Sequence, residues 1–208
     1  MIKYLDIHFR KVKSSFKTRG LIFRDALDVF LGLRHPLMPP KRYDYINIGI
    51  NETIGKEFLE HFINKAALIS SHRVLEVGSG FGRIAIPLTQ FLNTQGRYEG
   101  LEIIKDGVNW CQSNFTTKFP NFNFQRIDVK NERYHPLGKY KASEYKFPFE
   151  NASFDFIYLT SVFTHMYPDD IENYMKEIAR VLKKGGHCFI SYYLLNDISL
   201  DNISKHKG

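Results

Sequence analysis

Three glycines at alternate positions, Gly78, Gly80 and Gly82, form the most informative short pattern in this 208-residue chain. They follow the apolar-leaning run VLEV and precede a helical pattern. Glycine lets a backbone turn sharply and approach a ligand closely, because no Cβ stands in the way. A dinucleotide-binding turn reads G-x-G-x-x-G, and a phosphate loop reads G-x-x-x-x-G-K-[ST]. The run here is GSGFGR, with Arg83 at the end, so neither motif is complete.

Two acidic residues beside this turn narrow the choice of ligand. Glu76 lies two residues before Gly78, where its charge would repel a pyrophosphate and would suit a cation. Glu102 ends the next predicted strand, 22 residues beyond Gly80, where an acid can accept hydrogen bonds from a ribose diol. A cationic ligand with a free ribose and no phosphate describes S-adenosylmethionine better than a dinucleotide.

The surrounding elements alternate between β-type and helical patterns. This order predicts an α/β fold with a doubly wound, mostly parallel sheet and helices on both faces. In such a sheet, ligands bind beyond the carboxyl ends of the strands. The predicted strands are 72–77, 97–103, 122–127, 154–160 and 187–195, and the predicted helices are 53–63, 83–92, 107–119 and 168–182.

The chain resembles the class I S-adenosylmethionine-dependent methyltransferases of the small-molecule type. The matching runs are VLEVGSGFGR, YEGLEI, FPFENASFDFIYLTSVFTHM and EIARVLKKGGHCFISYY, in order, within about residues 50–195. The resemblance implies a Rossmann-like fold, S-adenosyl-L-methionine as cofactor and S-adenosyl-L-homocysteine as product.

The resemblance also assigns roles to individual residues. It implies that Glu76 and the glycine turn surround the methionine moiety and that Glu102 binds the ribose. Ile103 would pack on the adenine, and Asp128 would meet the adenine amino group. Thr160, at the end of the fourth strand, would contact the cofactor or shape the pocket. The cofactor-binding residues predicted in this way are Glu76, Gly78, Ser79, Gly80, Gly82, Glu102, Ile103, Asp128 and Thr160.

The chain departs from the family pattern at two places. The motif that usually follows the third strand closely ends here at Phe149, so residues 129–147 are interpreted as an inserted loop that helps to form the acceptor pocket. The family's aspartate position falls on either Asp128 or Ser143. After the fifth strand too few residues follow for the usual C-terminal antiparallel hairpin, which is expected to be missing or truncated.

His165 is the candidate catalytic residue. It follows the fourth strand in the run SVFTHM, and a neutral imidazole can accept a proton from an acceptor hydroxyl near pH 7. The alternative is a histidine that merely packs at the start of the next helix. Alignment of the acceptor can supply much of the rate enhancement of methyl transfer, so a base is not obligatory. No cluster of acids or cysteines predicts a metal site.

The net charge of +7 is confined to the N-terminal region. Residues 1–42 contain ten Lys/Arg and three acids, whereas the remainder contains 19 of each. We therefore divide the chain into a basic, helical arm (1–40) and a methyltransferase domain (41–208). The arm is expected either to dock on the body or to recruit an anionic partner: a membrane surface, an acidic glycan or nucleic acid.

The sequence contains neither a secretory signal nor a long apolar run, so the expected location is cytoplasmic. If the arm binds lipid, the expected location is peripheral to a membrane.

The favoured function is transfer of a methyl group to a small-molecule, lipid-headgroup or glycan-like acceptor. Two alternatives stay open: a catalytically inactive S-adenosylmethionine-binding regulatory or partner module, and an RNA methyltransferase that uses the basic arm. A nicotinamide-dependent oxidoreductase is disfavoured by Glu76 and by the incomplete dinucleotide fingerprint.

Overall fold

A five-stranded parallel sheet forms the centre of the chain, for which the computed structural model describes residues 15–39, 43, 52–192 and 196–205. The strand order is β3-β2-β1-β4-β5, and every neighbouring pair is parallel. The chain builds the sheet outward in one direction from β1 to β3 and in the other direction from β4 to β5. This switch between β1 and β4 creates a crevice at the carboxyl ends of these strands. The strands are β1 (Arg73–Val77), β2 (Arg97–Glu102), β3 (Phe122–Arg126), β4 (Phe154–Leu159) and β5 (Leu182–Ile190).

Helices cover both faces of the sheet, as the alternating pattern predicted. One apolar layer contains Phe62, Leu88 and Val108, and the other contains Tyr174 and Ile178. The α/β prediction is confirmed, because both faces of the parallel strands are buried. The helices are α1 (Ser15–Phe30), α2 (Glu52–Ala66), α3 (Ala85–Phe91), α4 (Lys105–Cys111), α5 (Pro168–Val181) and α6 (Asp197–Lys205).

The start of β5 differs from its prediction. Residues 183–186 were expected to end the preceding helix, yet the strand begins at Leu182, directly after α5. Leu182 pairs with Phe154, and regular pairing resumes only where His187 faces Phe156. The intervening residues bulge out of the ladder, with Gly185 at a φ of +81° that a side chain would disfavour.

The C-terminal part of the described chain is helical. After β5, the described residues contain α6 and no further strand. None of the helices in the described ranges is long and apolar enough to cross a membrane. The sheet therefore consists, within these ranges, of the five parallel strands alone.

Candidate functional site

A cavity of about 440 Å³ opens at the carboxyl ends of β1, β2 and β4. Part of the predicted site lines this cavity, namely Gly78, Glu102, Ile103, Thr160 and His165. The other predicted site residues do not line it, namely Glu76, Ser79, Gly80, Gly82 and Asp128. The structure thus brings together residues from three strand ends that lie far apart in the sequence.

The Glu102 side chain is held by three backbone N–H groups. Its Oε1 accepts hydrogen bonds from Ile103 (2.7 Å) and Ile104 (2.8 Å), and its Oε2 accepts one from Gly80 (2.6 Å). Burial raises the pKa of this carboxyl group, while the three hydrogen bonds lower it. A carboxylate has about four lone-pair positions, so Oε2 can still accept from a ligand hydroxyl. The acid is therefore oriented before any ligand binds.

The glycine turn depends on left-handed backbone conformations. The φ angles of Gly78 and Gly80 are +83° and +54°. A Cβ on Gly78 would lie 2.5 Å from Val162 Cγ2, whereas a Cβ on Gly80 would meet no atom within 4 Å. Gly78 is therefore required for close packing against the segment after β4, and Gly80 leaves open space above the turn.

Glu76 faces the apolar layer of the sheet and not the cavity. Side chains alternate along a strand, so Glu76 shares a face with Val74. Its Oε2 accepts hydrogen bonds from the hydroxyls of Tyr98 and Tyr158, the latter at 2.8 Å. Burial raises the pKa of the Glu76 carboxyl group to about 7, and the two tyrosine hydroxyls oppose that rise. Its place among apolar side chains is the reason it does not reach the cavity.

Asp128 forms a hydrogen bond with His135 in the loop that follows β3. Its Oδ1 lies 2.7 Å from His135 Nε2, and its side chain is 50% exposed. The hydrogen bond with His135 lowers the pKa of the Asp128 carboxyl group. Asp128 therefore ties the start of the inserted loop to its middle and lies beside the cavity wall.

The inserted loop, residues 129–147, forms one side of the cavity. Its backbone is closed by an antiparallel bridge between Asn131 and His135 and a parallel bridge between Val129 and Tyr140. Val129, Asn131 and Tyr134 all line the cavity. The loop therefore borders this cavity, and its role in forming the acceptor pocket stays a prediction.

The segment after β4 forms the opposite side. Ser161 has a φ of +58°, and its N–H donates to Ser191 Oγ at 2.9 Å. This unusual conformation, of the kind that often occurs at ligand sites, precedes the short helical turn that carries His165. The His165 and Tyr134 rings meet edge to face, with centroids 5.8 Å apart. The two sides of the cavity touch through this pair.

Several charged residues line the cavity without having been predicted as site residues. They are Arg83, Lys130, Arg133 and Asp170. Arg83 was noted only because it replaces a fingerprint glycine, and Asp170 lies in the first turn of α5, where the helix dipole favours an acid. Lys130 and Arg133 belong to a polar loop whose path cannot be derived from local sequence.

We expect Gly78→Ala to destabilise the fold more than Gly185→Ala. Both glycines have nearly the same φ, +83° and +81°, but only the Gly78 Cβ would collide with a neighbour. The backbone conformation costs about 1–2 kcal/mol in both variants, and the overlap with Val162 adds about 1–3 kcal/mol. Urea unfolding measures the difference. Equal losses in the two variants would show that the contact with Val162 is not required.

The parallel sheet, the glycine turn and the acid at the end of β2 define a Rossmann-like α/β protein with a ligand site at its switch point. Residues 75–190 match the protein family described as "Methyltransferase domain". The chain belongs to this family, and its fold is that of the S-adenosylmethionine-dependent class I methyltransferases.

The curated relatives are longer than this chain. A sterol 4-C-methyltransferase of Caenorhabditis elegans is 26% identical over 194 residues, which cover 89% of this chain and 49% of that protein. A sterol 24-C-methyltransferase of Schizosaccharomyces pombe is 28% identical over 149 residues, which cover 71% of this chain and 35% of that protein. The chain therefore spans about half the length of the first relative and about a third of the second.

Solved structures share the fold at low identity. A protein of Methanococcus maripaludis, provisionally described as an S-adenosyl-L-methionine-dependent methyltransferase, aligns with a TM-score of 0.56 and 19% identity. The alignment covers 79% of this chain and 67% of that protein. The PH0226 protein of Pyrococcus horikoshii OT3 aligns with a TM-score of 0.53 and 18% identity, over 73% and 66% of the two chains.

Proposed function

We propose that this chain binds S-adenosylmethionine in the 440 Å³ cavity and transfers its methyl group to a small-molecule or lipid-like acceptor. The observation that carries the proposal is the preoriented carboxylate of Glu102, in a wall that also contains Gly78 and the apolar side chain of Ile103. Glu102 would accept a hydrogen bond from the ribose, and Ile103 would pack on the adenine. The bound cofactor supplies an electrophilic methyl group on a sulfonium.

The residues of the wall fit this cofactor. Thr160 offers a hydroxyl directly after β4, and Gly80, which lies outside the wall, donates its N–H to Glu102 within it. Glu76 and Asp128 lie outside the wall, so the proposal gives them no direct contact with the cofactor. Among the described residues, no group of three or more His, Cys, Asp or Glu side chains is placed to hold a metal ion.

A second cavity supports a place for the acceptor. It measures about 630 Å³ and shares His165, Met166 and Asp170 with the first. Its volume lies in the range of small-molecule sites. We propose that the acceptor enters here, with His165 between acceptor and cofactor.

The sterol methyltransferase relatives favour a lipid-like acceptor over a glycan. The basic arm would keep the chain at the periphery of a membrane, near such an acceptor.

Thermal unfolding with different ligands tests the cofactor assignment. A ligand at about 100 times its dissociation constant stabilises a protein by about 2.7 kcal/mol, enough to raise the midpoint by several degrees. We expect such a rise with S-adenosylmethionine and with S-adenosylhomocysteine, and none with NAD. No rise with either adenosyl ligand would contradict the proposal. A rise without transfer to sterol, phospholipid or RNA would instead favour the inactive binding module.

We expect His165→Asn to lower methyl transfer by about 10²- to 10⁴-fold, the usual contribution of a general base. Its position in the walls of both cavities is the reason for the expectation. Binding of S-adenosylmethionine should change far less than the rate of methyl transfer, because His165 would act on the acceptor. His61→Asn, which alters an exposed histidine of α2, is the matched control. An unchanged kcat for His165→Asn would mean that His165 packs against its neighbours and does not act as a base.

A further inference from the structure

Helix α1 presents an apolar face to solvent. The side chains of Phe23, Leu27 and Phe30 are 73%, 42% and 86% exposed. They are spaced by four and three residues, so they share one side of the helix. A surface helix of a globular protein usually turns such a side toward the core.

On the opposite side of α1, a buried ion pair joins the helix to the segment that follows it. Asp25 is only 7% exposed and forms an ion pair with Arg34, which is equally buried. Arg34 also donates hydrogen bonds to the backbone carbonyls of Met38 and Pro39, and Leu37 belongs to the apolar core. These contacts tie α1 to residues 34–39, and Leu37 of that segment packs into the core. The helix is thus attached through Asp25, while Phe23, Leu27 and Phe30 stay exposed.

The turn after α1 extends the apolar face. Gly32 has a φ of +69°, and the N–H groups of Gly32 and Leu33 donate to the carbonyls of Val29 and Asp28. This pair of bonds is the Schellman motif, which ends a helix in a defined geometry. It leaves Leu31 56% and Leu33 74% exposed. We name Phe23, Leu27, Phe30, Leu31 and Leu33 together the α1 patch.

The charge of the arm indicates what covers the α1 patch. Residues 1–42 carry ten Lys/Arg and three acids, while the rest of the chain is neutral. One acid and one base, Asp25 and Arg34, are already paired with each other, so nine Lys/Arg and two acids remain, a net charge of +7. An apolar face in a strongly cationic segment matches a surface that combines acyl chains with negative headgroups.

We propose that the α1 patch inserts into the surface of an anionic lipid bilayer and that the basic residues of the arm bind its headgroups. The proposal rests on the peripheral location suggested above and specifies the surface responsible. It requires no methyl transfer, because α1 contributes no residue to the cavity wall.

Co-sedimentation of the full chain with vesicles tests the proposal without any cofactor. We expect binding to vesicles that contain phosphatidylserine and much weaker binding to vesicles of phosphatidylcholine alone. High salt should weaken binding, and each basic residue near the surface should contribute about fivefold. Equal binding to both vesicle types, or none to either, would overturn the proposal.

The double variant F23S/F30S separates the α1 patch from charge alone. Both side chains are largely exposed, so the fold should be unaffected, while partition into vesicles falls by about 100-fold. Leu137→Ser is the matched control, since Leu137 is 84% exposed but lies in the inserted loop. An unchanged affinity of F23S/F30S would overturn the proposal, as would a concentration-dependent dimer that buries the patch without vesicle binding. If the wild-type chain does not bind vesicles but responds normally to S-adenosylmethionine, this proposal is refuted and the proposed function is not.

Discussion

Glu102→Gln should abolish the rise in melting temperature that S-adenosylmethionine produces and should reduce methyl transfer to background. The carboxylate accepts from Gly80, Ile103 and Ile104 at once, and only its Oε2 can still accept from a ribose hydroxyl. In glutamine, an NH₂ group with two donors replaces one of the two carboxylate oxygens, at a position where these N–H groups need an acceptor. Each buried N–H left without a partner costs about 1–3 kcal/mol, so the unliganded variant should also melt earlier.

The ligand-induced shift is therefore measured against each variant's own unliganded baseline. Glu99→Gln is the matched control, because Glu99 lies on the same strand and accepts a hydrogen bond from Asn123 outside the cavity. It should keep the full response to S-adenosylmethionine. If Glu102→Gln folds and still responds like the control, Glu102 does not bind the cofactor.

The contribution of Glu76 to stability should fall as pH rises from about 4.5 to about 7. Burial raises the pKa of this carboxyl group from 4.5 in the unfolded chain to about 7 in the folded one. Below pH 4.5 both states are protonated, and the stabilisation is fully present. Between the two values the folded state retains a proton that the unfolded state has lost, so the free energy of unfolding decreases with pH. The shift corresponds to a loss of about 3 kcal/mol.

Glu76→Gln isolates this contribution from the other titrating groups. The pKa values of Asp128, Asp155 and Glu177 are lowered by their partners, and these groups therefore change stability in the opposite direction. The glutamine cannot ionise. The free energy of unfolding of the variant, relative to that of the wild type, should therefore rise by about 3 kcal/mol between pH 4.5 and pH 8. Urea unfolding at several pH values measures this difference. A difference that does not change with pH would mean that Glu76 is ionised throughout.

The sequence alone determined the class of fold and some of the residues that line the cavity. Short apolar runs placed the strands, which are buried on both faces, and apolar residues at helical spacing placed the helices, which are buried on one side. Glu102 and Thr160 were found because strand ends at one edge of a parallel sheet must lie together. His165 was found in the same way, from its place after β4.

Only the tertiary structure decided where individual charged groups point. Glu76 lies on a strand whose neighbours bring Tyr98 and Tyr158 from 22 and 82 residues away, and no local pattern encodes that pairing. The same holds for Asp128 and His135, whose hydrogen bond depends on the path of an irregular loop. It holds equally for α1, where Asp25 is buried in a pair with Arg34 while Phe23 and Phe30 are exposed. Local periodicity shows that a helix has two sides, but the contacts across the fold choose which side is buried.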